Sequence, residues 1–364
     1  MRLRPLLLCV ALAVFPLSTS AFEPRIETLV ESLEHPAAVA ELPDGSLLIG
    51  ERIGRLRLWT SAGLSPPLAG LPEVRFAGQG GLLDVLPDRD FASNRILYLS
   101  YAAGSGRANG TRMARATLGE AGLEDLREIF VAQPDKPTDA HFGGRIAQLA
   151  DGSLVLTLGD GFSLREAAQD LRSHLGKIVR VHTDGSVPAD NPFVGRADAL
   201  PEIYSLGHRN VQGIAIDAER GILWAHEHGP RGGDELNRIE PGINYGWPVA
   251  TAGLDYSGAQ ISPFERYAGM RDPVHGWTPS IAPSAMVLYR GAAFAQWQND
   301  LLVTALAGRA LHRLQIDADG RVQQEDVLLR SLGERLRDVR VDAQGRVLLL
   351  TDGARGKLLR LSPP

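Results

Sequence analysis

The sequence predicts an all-β chain closed into a six-bladed β-propeller, and three observations lead there. Its 40 Gly and 23 Pro are dispersed along the chain, which suits many short strands joined by turns better than long helices. Hydrophobic residues make up 44% and charged residues 22%, enough apolar matter for a packed core and too little charge for disorder. Finally, one pattern recurs six times at intervals of roughly 45 to 80 residues: a turn rich in Asp, Gly or Asn, an apolar strand, a polar tight turn and a second strand.

The units follow in order. Pro43-Asp44-Gly45-Ser46 leads into Leu47-Leu48-Ile49, with Leu56-Arg57-Leu58-Trp59 after the turn. Ile96-Leu97-Tyr98-Leu99 precedes Met113-Ala114-Arg115-Ala116. Leu154-Val155-Leu156-Thr157 is followed, after a long insertion, by Lys177-Ile178-Val179-Arg180-Val181. Ile222-Leu223-Trp224-Ala225 precedes Glu235 to Ile239, and Leu301-Leu302-Val303 precedes Ala310 to Leu314. Val347 to Leu350 and Lys357 to Leu361 close the chain. Each unit supplies the inner strands of one blade. The segment Arg25 to Val30 alternates in polarity and is expected to complete the last blade. A β-sandwich or β-helix would lack this recurrence.

The N-terminus reads as an export signal. Arg2 and Arg4 precede an apolar run from Pro5 to Leu17, and Ser18-Thr19-Ser20-Ala21 supplies a small-residue cleavage site. That run of roughly 13 residues falls short of the ~20 needed to span a bilayer. A leader over residues 1–21 and one domain over 22–364 are therefore expected, with the mature protein exported to the periplasm or beyond and not inserted in a membrane. Cys9 is the single cysteine, so no disulfide is expected in the mature domain. Loss of Arg2 and Arg4 moves the formal charge from −5 to −7, which argues against nucleic acid as a partner.

Three polar clusters stand out. Gly207-His208-Arg209-Asn210-Val211-Gln212-Gly213 and His226-Glu227-His228-Gly229-Pro230 flank a short strand, at positions where propeller loops line the channel mouth. Gly229-Pro230 can turn two carbonyls toward a hard cation such as calcium. A solvated loop, or a zinc site built on His226 and His228, would use the same residues. Next, His141-Phe142-Gly143-Gly144-Arg145 and Gly159-Asp160-Gly161 lie at opposite ends of a hairpin-like stretch, so Asp160 can orient His141 as a base. Third, Arg335 and Arg337 share one face of a strand and suit a ligand with several carboxylates.

Together these clusters resemble the soluble pyrroloquinoline-quinone (PQQ)-dependent sugar dehydrogenases, the glucose/sorbosone dehydrogenase family. The resemblance runs from Ala37 to Ser362, through Gly78-Gln79-Gly80-Gly81-Leu82-Leu83, His141 to Arg145, Gly207 to Gly213, Glu227 to Pro248, Pro279 to Ser284 and Arg335 to Val339. It implies an aldose substrate oxidised at the anomeric carbon to a lactone, PQQ and calcium as cofactors, and a separate electron acceptor, in a monomer or homodimer. Carried over by position, His141 is the base, Asp160 its orienter and Arg209 the group that stabilises charge on the quinone oxygen. Gln79, Asn210, Arg335, Arg337 and Tyr256 hold the cofactor. Gly229 and Pro230 give carbonyls to one calcium, while Glu235 and the Tyr245 carbonyl serve a second, structural one.

Two positions depart from the pattern. Ala307 stands where the resemblance expects a cofactor-contacting lysine, with Arg309 nearby as a substitute. His228 replaces the glutamine of glucose-specific members and leans toward broad aldose specificity. Two other functions use the same fold: a calcium-dependent lactonase, which needs a carboxylate-rich channel, and a non-enzymatic binding module, which the loss of the lysine favours.

Overall fold

Because each inner strand of a propeller is sandwiched between two neighbouring blades, its residues are apolar on both faces, and this is why the strands appear as unbroken apolar runs. In the computed structural model, which describes residues 23–364, alternate residues of one strand face different neighbours. Leu48 packs with Leu82, Leu97 and Leu99 on one side, while Leu47 and Ile49 meet Leu348, Leu350 and Leu358 on the other. Leu302 likewise joins Leu349 and Leu359, whereas Leu301 and Val303 join Trp224 and Leu236.

Strand β1 (Arg25–Leu33) opens the described chain. Five four-stranded sheets follow. They are β2 (Pro36–Glu41), β3 (Leu47–Glu51), β4 (Arg55–Thr60) and β5 (Gly63–Leu64); β6 (Leu82–Pro87), β7 (Ile96–Ser105), β8 (Ala108–Leu118) and β9 (Leu123–Val131); β10 (Ile146–Gln148), β11 (Leu154–Thr157), β12 (Lys177–Val181) and β13 (Ile203–Leu206); β14 (Val211–Asp217), β15 (Ile222–Glu227), β16 (Asp234–Ile239) and β17 (His275–Trp277); and β18 (Pro283–Leu288), β19 (Leu301–Ala305), β20 (Leu311–Ile316) and β21 (Val322–Leu328). The sixth comprises β22 (Leu336–Val341), β23 (Val347–Thr351) and β24 (Gly356–Ser362), with β1 as its outer strand. All pairings within the blades are antiparallel. The β1–β24 register runs from Arg25 opposite Ser362 to Leu33 opposite Gly356, so the two ends of the described chain close the ring, as the sequence predicts. The export signal lies outside the described residues.

Five of the six innermost strands meet directly on one side chain. Arg145, at the entry to β10, donates from Nε to the Gln212 carbonyl (3.0 Å) and from its terminal nitrogens to the carbonyls of Ser284 (3.0 Å) and Arg337 (3.4 Å). It also pairs with Asp84 (3.4 Å) and Asp338 (3.2 Å). Those contacts reach the second, fourth, fifth and sixth blades from the third. Asp338 then accepts the Val39 N–H of the first blade (2.9 Å), Asp84 accepts the Ile146 N–H (3.0 Å), and Arg340 pairs with both carboxylates. Removing one partner from such a buried network leaves uncompensated charge. Arg145→Met should therefore cost about 3–5 kcal/mol of unfolding free energy in a denaturant titration. A loss below about 1 kcal/mol, the scale of an exposed ion pair, would show that the network does not hold the ring together.

Candidate functional site

Above Arg145 the channel opens into a cavity of about 310 Å³, at the lower end of the range for small-molecule sites. Arg52, Gln79, Phe142, Asn210, His228, Leu306, Arg335, Arg337 and Asp352 are among its lining residues. Arg335 and Arg337 do point together, as their spacing predicts, and the residue that holds them is Asp352. It accepts from Arg335 Nε (2.9 Å) and from Arg337 Nε (3.0 Å) and a terminal nitrogen (2.8 Å). These arginines hold the Asp352 carboxyl below its ordinary range against the opposing effect of burial. Arg52 donates to the carbonyls of Gly78 and Gly80, fixing the turn that carries Gln79. Sequence reasoning missed both Asp352 and Arg52, since neither sits in one of the polar clusters that stand out in the sequence.

His141, which precedes the cavity-lining Phe142 but does not itself line the cavity, has its Nδ1 2.6 Å from Asp160 Oδ1. Asp160 also accepts from Trp247 Nε1 (2.8 Å) and the Phe162 N–H (2.7 Å), so its carboxylate is held from three directions. The His141 backbone takes a left-handed φ of +52°, uncommon outside glycine, and its N–H donates to Gln79 Oε1 (2.8 Å). His141 is 4% exposed and Asp160 wholly buried. Burial lowers the imidazole below its usual value; Asp160 opposes this, while Arg209 and Lys136 reinforce it.

Arg209 donates to the carbonyls of His228 (3.0 Å) and Gly229 (2.6 Å) and lies over Trp247 and Tyr256. The Gly229 carbonyl, one of the two that the sequence reading turns toward a cation, thus receives the Arg209 guanidinium. Gly229 has no room for a side chain, since a Cβ there would sit 2.2 Å from the Gly233 carbonyl oxygen. Its turn is anchored by Asp234, which accepts from the N–H groups of Gly229, Ile281 and Ala282 and from Ser280 Oγ. Asn210 Oδ1 accepts from the Gly143 N–H (3.2 Å) and Gln212.

The remaining predicted residues fall elsewhere. Ala307 is exposed and not among the cavity-lining residues; Leu306 takes that place. Arg309 turns away to the Gly333 carbonyl (3.1 Å), because its own backbone is left-handed (φ +48°) at the tip of the β19–β20 turn. Arg52 is the additional cation that the cavity has instead. Tyr256, 61% exposed, sits in an outer cleft with Phe162, Trp247 and Arg209 rather than in the central cavity. Glu235 lies opposite Glu227 across β15 and β16, and burial together with that second carboxylate pushes it well above the ordinary carboxylate range. Beside them the Asn237 Oδ1 is buried without a partner. His208 bonds Glu227 and stacks on Tyr245 at 4.9 Å. Among the described residues no three His, Cys, Asp or Glu side chains form a metal-holding group.

A propeller with a buried histidine–aspartate pair and an arginine-lined cavity has the features of a small-molecule site. The chain belongs to the glucose/sorbosone dehydrogenase family, whose model matches residues 33–360. It is 42% identical over 346 residues to the aldose sugar dehydrogenase YliI of Escherichia coli K12, covering 93% of both chains. A crystal structure of a glucose dehydrogenase superposes with a TM-score of 0.91 at 46% identity, covering 94% of this chain and all of that one. The PQQ-bound form of an aldose sugar dehydrogenase from Streptomyces coelicolor gives 0.78 at 28% identity, covering 93% and 98%.

Beneath this site His226 is wholly buried between Gly213 and Ala285 with no well-formed hydrogen bond at either ring nitrogen. Burial pushes it down to about 3. The folded state thus refuses a proton that the unfolded chain takes up near pH 6.5. Stability that is full above pH 6.5 should fall by about 1.4 kcal/mol per unit toward pH 3 on this account. Denaturant titrations of wild type and His226→Leu across that range should show the variant lacking this component; parallel slopes would contradict it.

Proposed function

We propose that the protein is an oxidoreductase that oxidises aldose sugars at the anomeric carbon to lactones, using PQQ and calcium and passing electrons to an external acceptor. The observation that carries this reading is the composition of the channel cavity. Arg52, Arg145, Arg335 and Arg337 line it against one carboxylate, Asp352, and Phe142, the residue after His141 of the His141–Asp160 pair, lines it too. A polycarboxylate ligand suits such a lining. A lactonase would need carboxylates around its metal, and the cavity supplies arginines.

The residues present fit both cofactors. Arg335 and Arg337, pre-oriented by Asp352, would hold cofactor carboxylates, with Gln79 and Asn210 offering amides. The Gly229 carbonyl, already receiving the Arg209 guanidinium, is an oxygen donor of the kind calcium takes. The paired carboxylates of Glu227 and Glu235, with the unpartnered Asn237 Oδ1, likewise form an oxygen-rich pocket suited to a structural calcium. Bound in the cavity, PQQ with calcium supplies a two-electron acceptor for the hydride lost from the anomeric carbon.

The protein's own part is acid–base and electrostatic. An ionised Asp160 accepts the Nδ1–H of His141, which leaves the Nε2 lone pair as the basic atom. His141 takes the hydroxyl proton as the C–H bond breaks, and the proton and hydride together leave the sugar as the lactone. Arg209, held by two carbonyls, stabilises negative charge developing beside it. The exposed rings of Phe162 and Tyr256, stacked at 6.4 Å, form an apolar rim suited to the face of a sugar. In this reading the protein works outside the cytoplasm after loss of residues 1–21. Among the described residues no helix is long and apolar enough to cross a membrane.

The test uses apo-protein with PQQ and calcium added, following dye reduction on a panel of aldoses. Activity should need both additions, and His141→Ala should lower kcat by about 10²–10⁴-fold while still binding PQQ. Turnover at the wild-type rate in that variant would remove His141 as the base. Failure of the wild type to bind PQQ would remove the whole reading.

A further inference from the structure

Behind the His141–Asp160 pair lies a buried cation that the reaction scheme does not use. Lys136 is 1% exposed, and no carboxylate is within hydrogen-bonding reach among its described contacts. Its Nζ donates to Asn109 Oδ1 (3.2 Å) and to the Thr138 carbonyl (2.5 Å) and stands 3.3 Å from the centroid of the Phe142 ring. Two oxygens and one aromatic face are three acceptors for the three N–H bonds of an ammonium. A neutral amine would have to aim its lone pair at one of them. Burial draws the group down to about 7 and Arg75 acts the same way, while Asp139 and Asp160 pull it back up.

The lysine is fixed to the site through its stem as well as its head. Its methylenes lie against Gly161, where a Cβ would come within 2.9 Å of Lys136 Cδ. Thr138 Oγ1 donates to the Gly161 carbonyl (2.5 Å), and the backbones of Lys136 and Asn109 bond each other in both directions. Gly161 follows Asp160, and Phe142 follows His141 and lines the cavity. The charged groups facing His141 are Asp160, Arg209 and Lys136, and the neighbouring His228 is held neutral by its burial. Asp160 is the one anion among them. A buried carboxylate beside an imidazole ordinarily draws a proton onto the ring, which would disable a base.

We propose that Lys136 is a positioning residue for His141: its ammonium, fixed beneath Phe142, offsets the Asp160 carboxylate through space and so adds to burial and Arg209 in keeping the imidazole unprotonated. The proposal rests on the reading of His141 as the base, yet its electrostatic content can be measured without cofactor or sugar. Two variants act on the charge in different ways. Lys136→Met removes it at similar length, and Asn109→Asp keeps the lysine but sets a carboxylate beside it.

In apo-protein, NMR titration of the His141 ring should show its pKa raised by about one unit in both variants, the scale of one charge in a partly buried site. In the loaded enzyme the acid limb of the kcat profile should move to higher pH by the same amount. If Lys136→Met does not fold, Asn109→Asp decides. An unchanged His141 titration in either folded variant, even with a lowered Tm, would overturn the proposal and leave Lys136 a packing residue. An absence of sugar oxidation in the wild type would count against the functional reading alone, since the apo titration would still stand.

Discussion

One guanidinium sets the geometry of the channel. Arg145 spends its donors on Gln212, Ser284, Arg337, Asp84 and Asp338, and Asp338 extends the network to Val39. Each innermost strand is thereby tied to a common centre rather than only to its neighbours. Burying charge is costly unless every partner is present, so the cluster forms only when all six blades are in register. It also divides the channel, because Arg145 lines both the cofactor-sized cavity and an apolar-walled cavity of about 550 Å³ on the opposite side.

The functional groups are placed by the same strands. The Arg337 carbonyl bonds Arg145 while its side chain turns into the cavity with Arg335. Asp234 pins the Gly229 turn against Ile281 and Ala282, which joins the fourth and fifth blades at the rim. Asp160 fixes His141, Trp247 and the Phe162 backbone around one carboxylate. Such rigid placement is what proton transfer and charge stabilisation require, since both lose their effect when geometry loosens.

Much of this was legible in the chain. The six paired apolar runs correspond to β3–β4, β7–β8, β11–β12, β15–β16, β19–β20 and β23–β24, because strands packed on both faces show continuous apolar sequence. Hairpin β7–β8 is longer than its apolar core suggests, since Ala102 to Gly110 pairs through backbone bonds with little side-chain signal. The outer strands carried less signal: β5 is two residues long and β17 three, and their pairing depends on tertiary contact. At the site, His141 with Asp160 and Arg335 with Arg337 were legible from spacing. The roles of Asp352, Asp234 and Trp247 were not: Asp352 lies outside the polar clusters, Asp234 also reaches Ile281 and Ala282 in the next blade, and Trp247 meets Asp160 across distant loops. Arg309, offered as a substitute for the lysine that the resemblance expects, donates to the Gly333 carbonyl, and Arg52 from the first blade faces the cavity.

The claim on which the account turns is that this arginine-lined cavity binds PQQ. An optical titration of apo-protein with PQQ in the presence of calcium tests it most directly. The account predicts saturable binding at one equivalent per chain, weakened by at least about tenfold when Arg335 and Arg337 are both replaced by Ala, as expected for lost charge-assisted hydrogen bonds. Absence of binding, or binding indifferent to those two arginines, would contradict it.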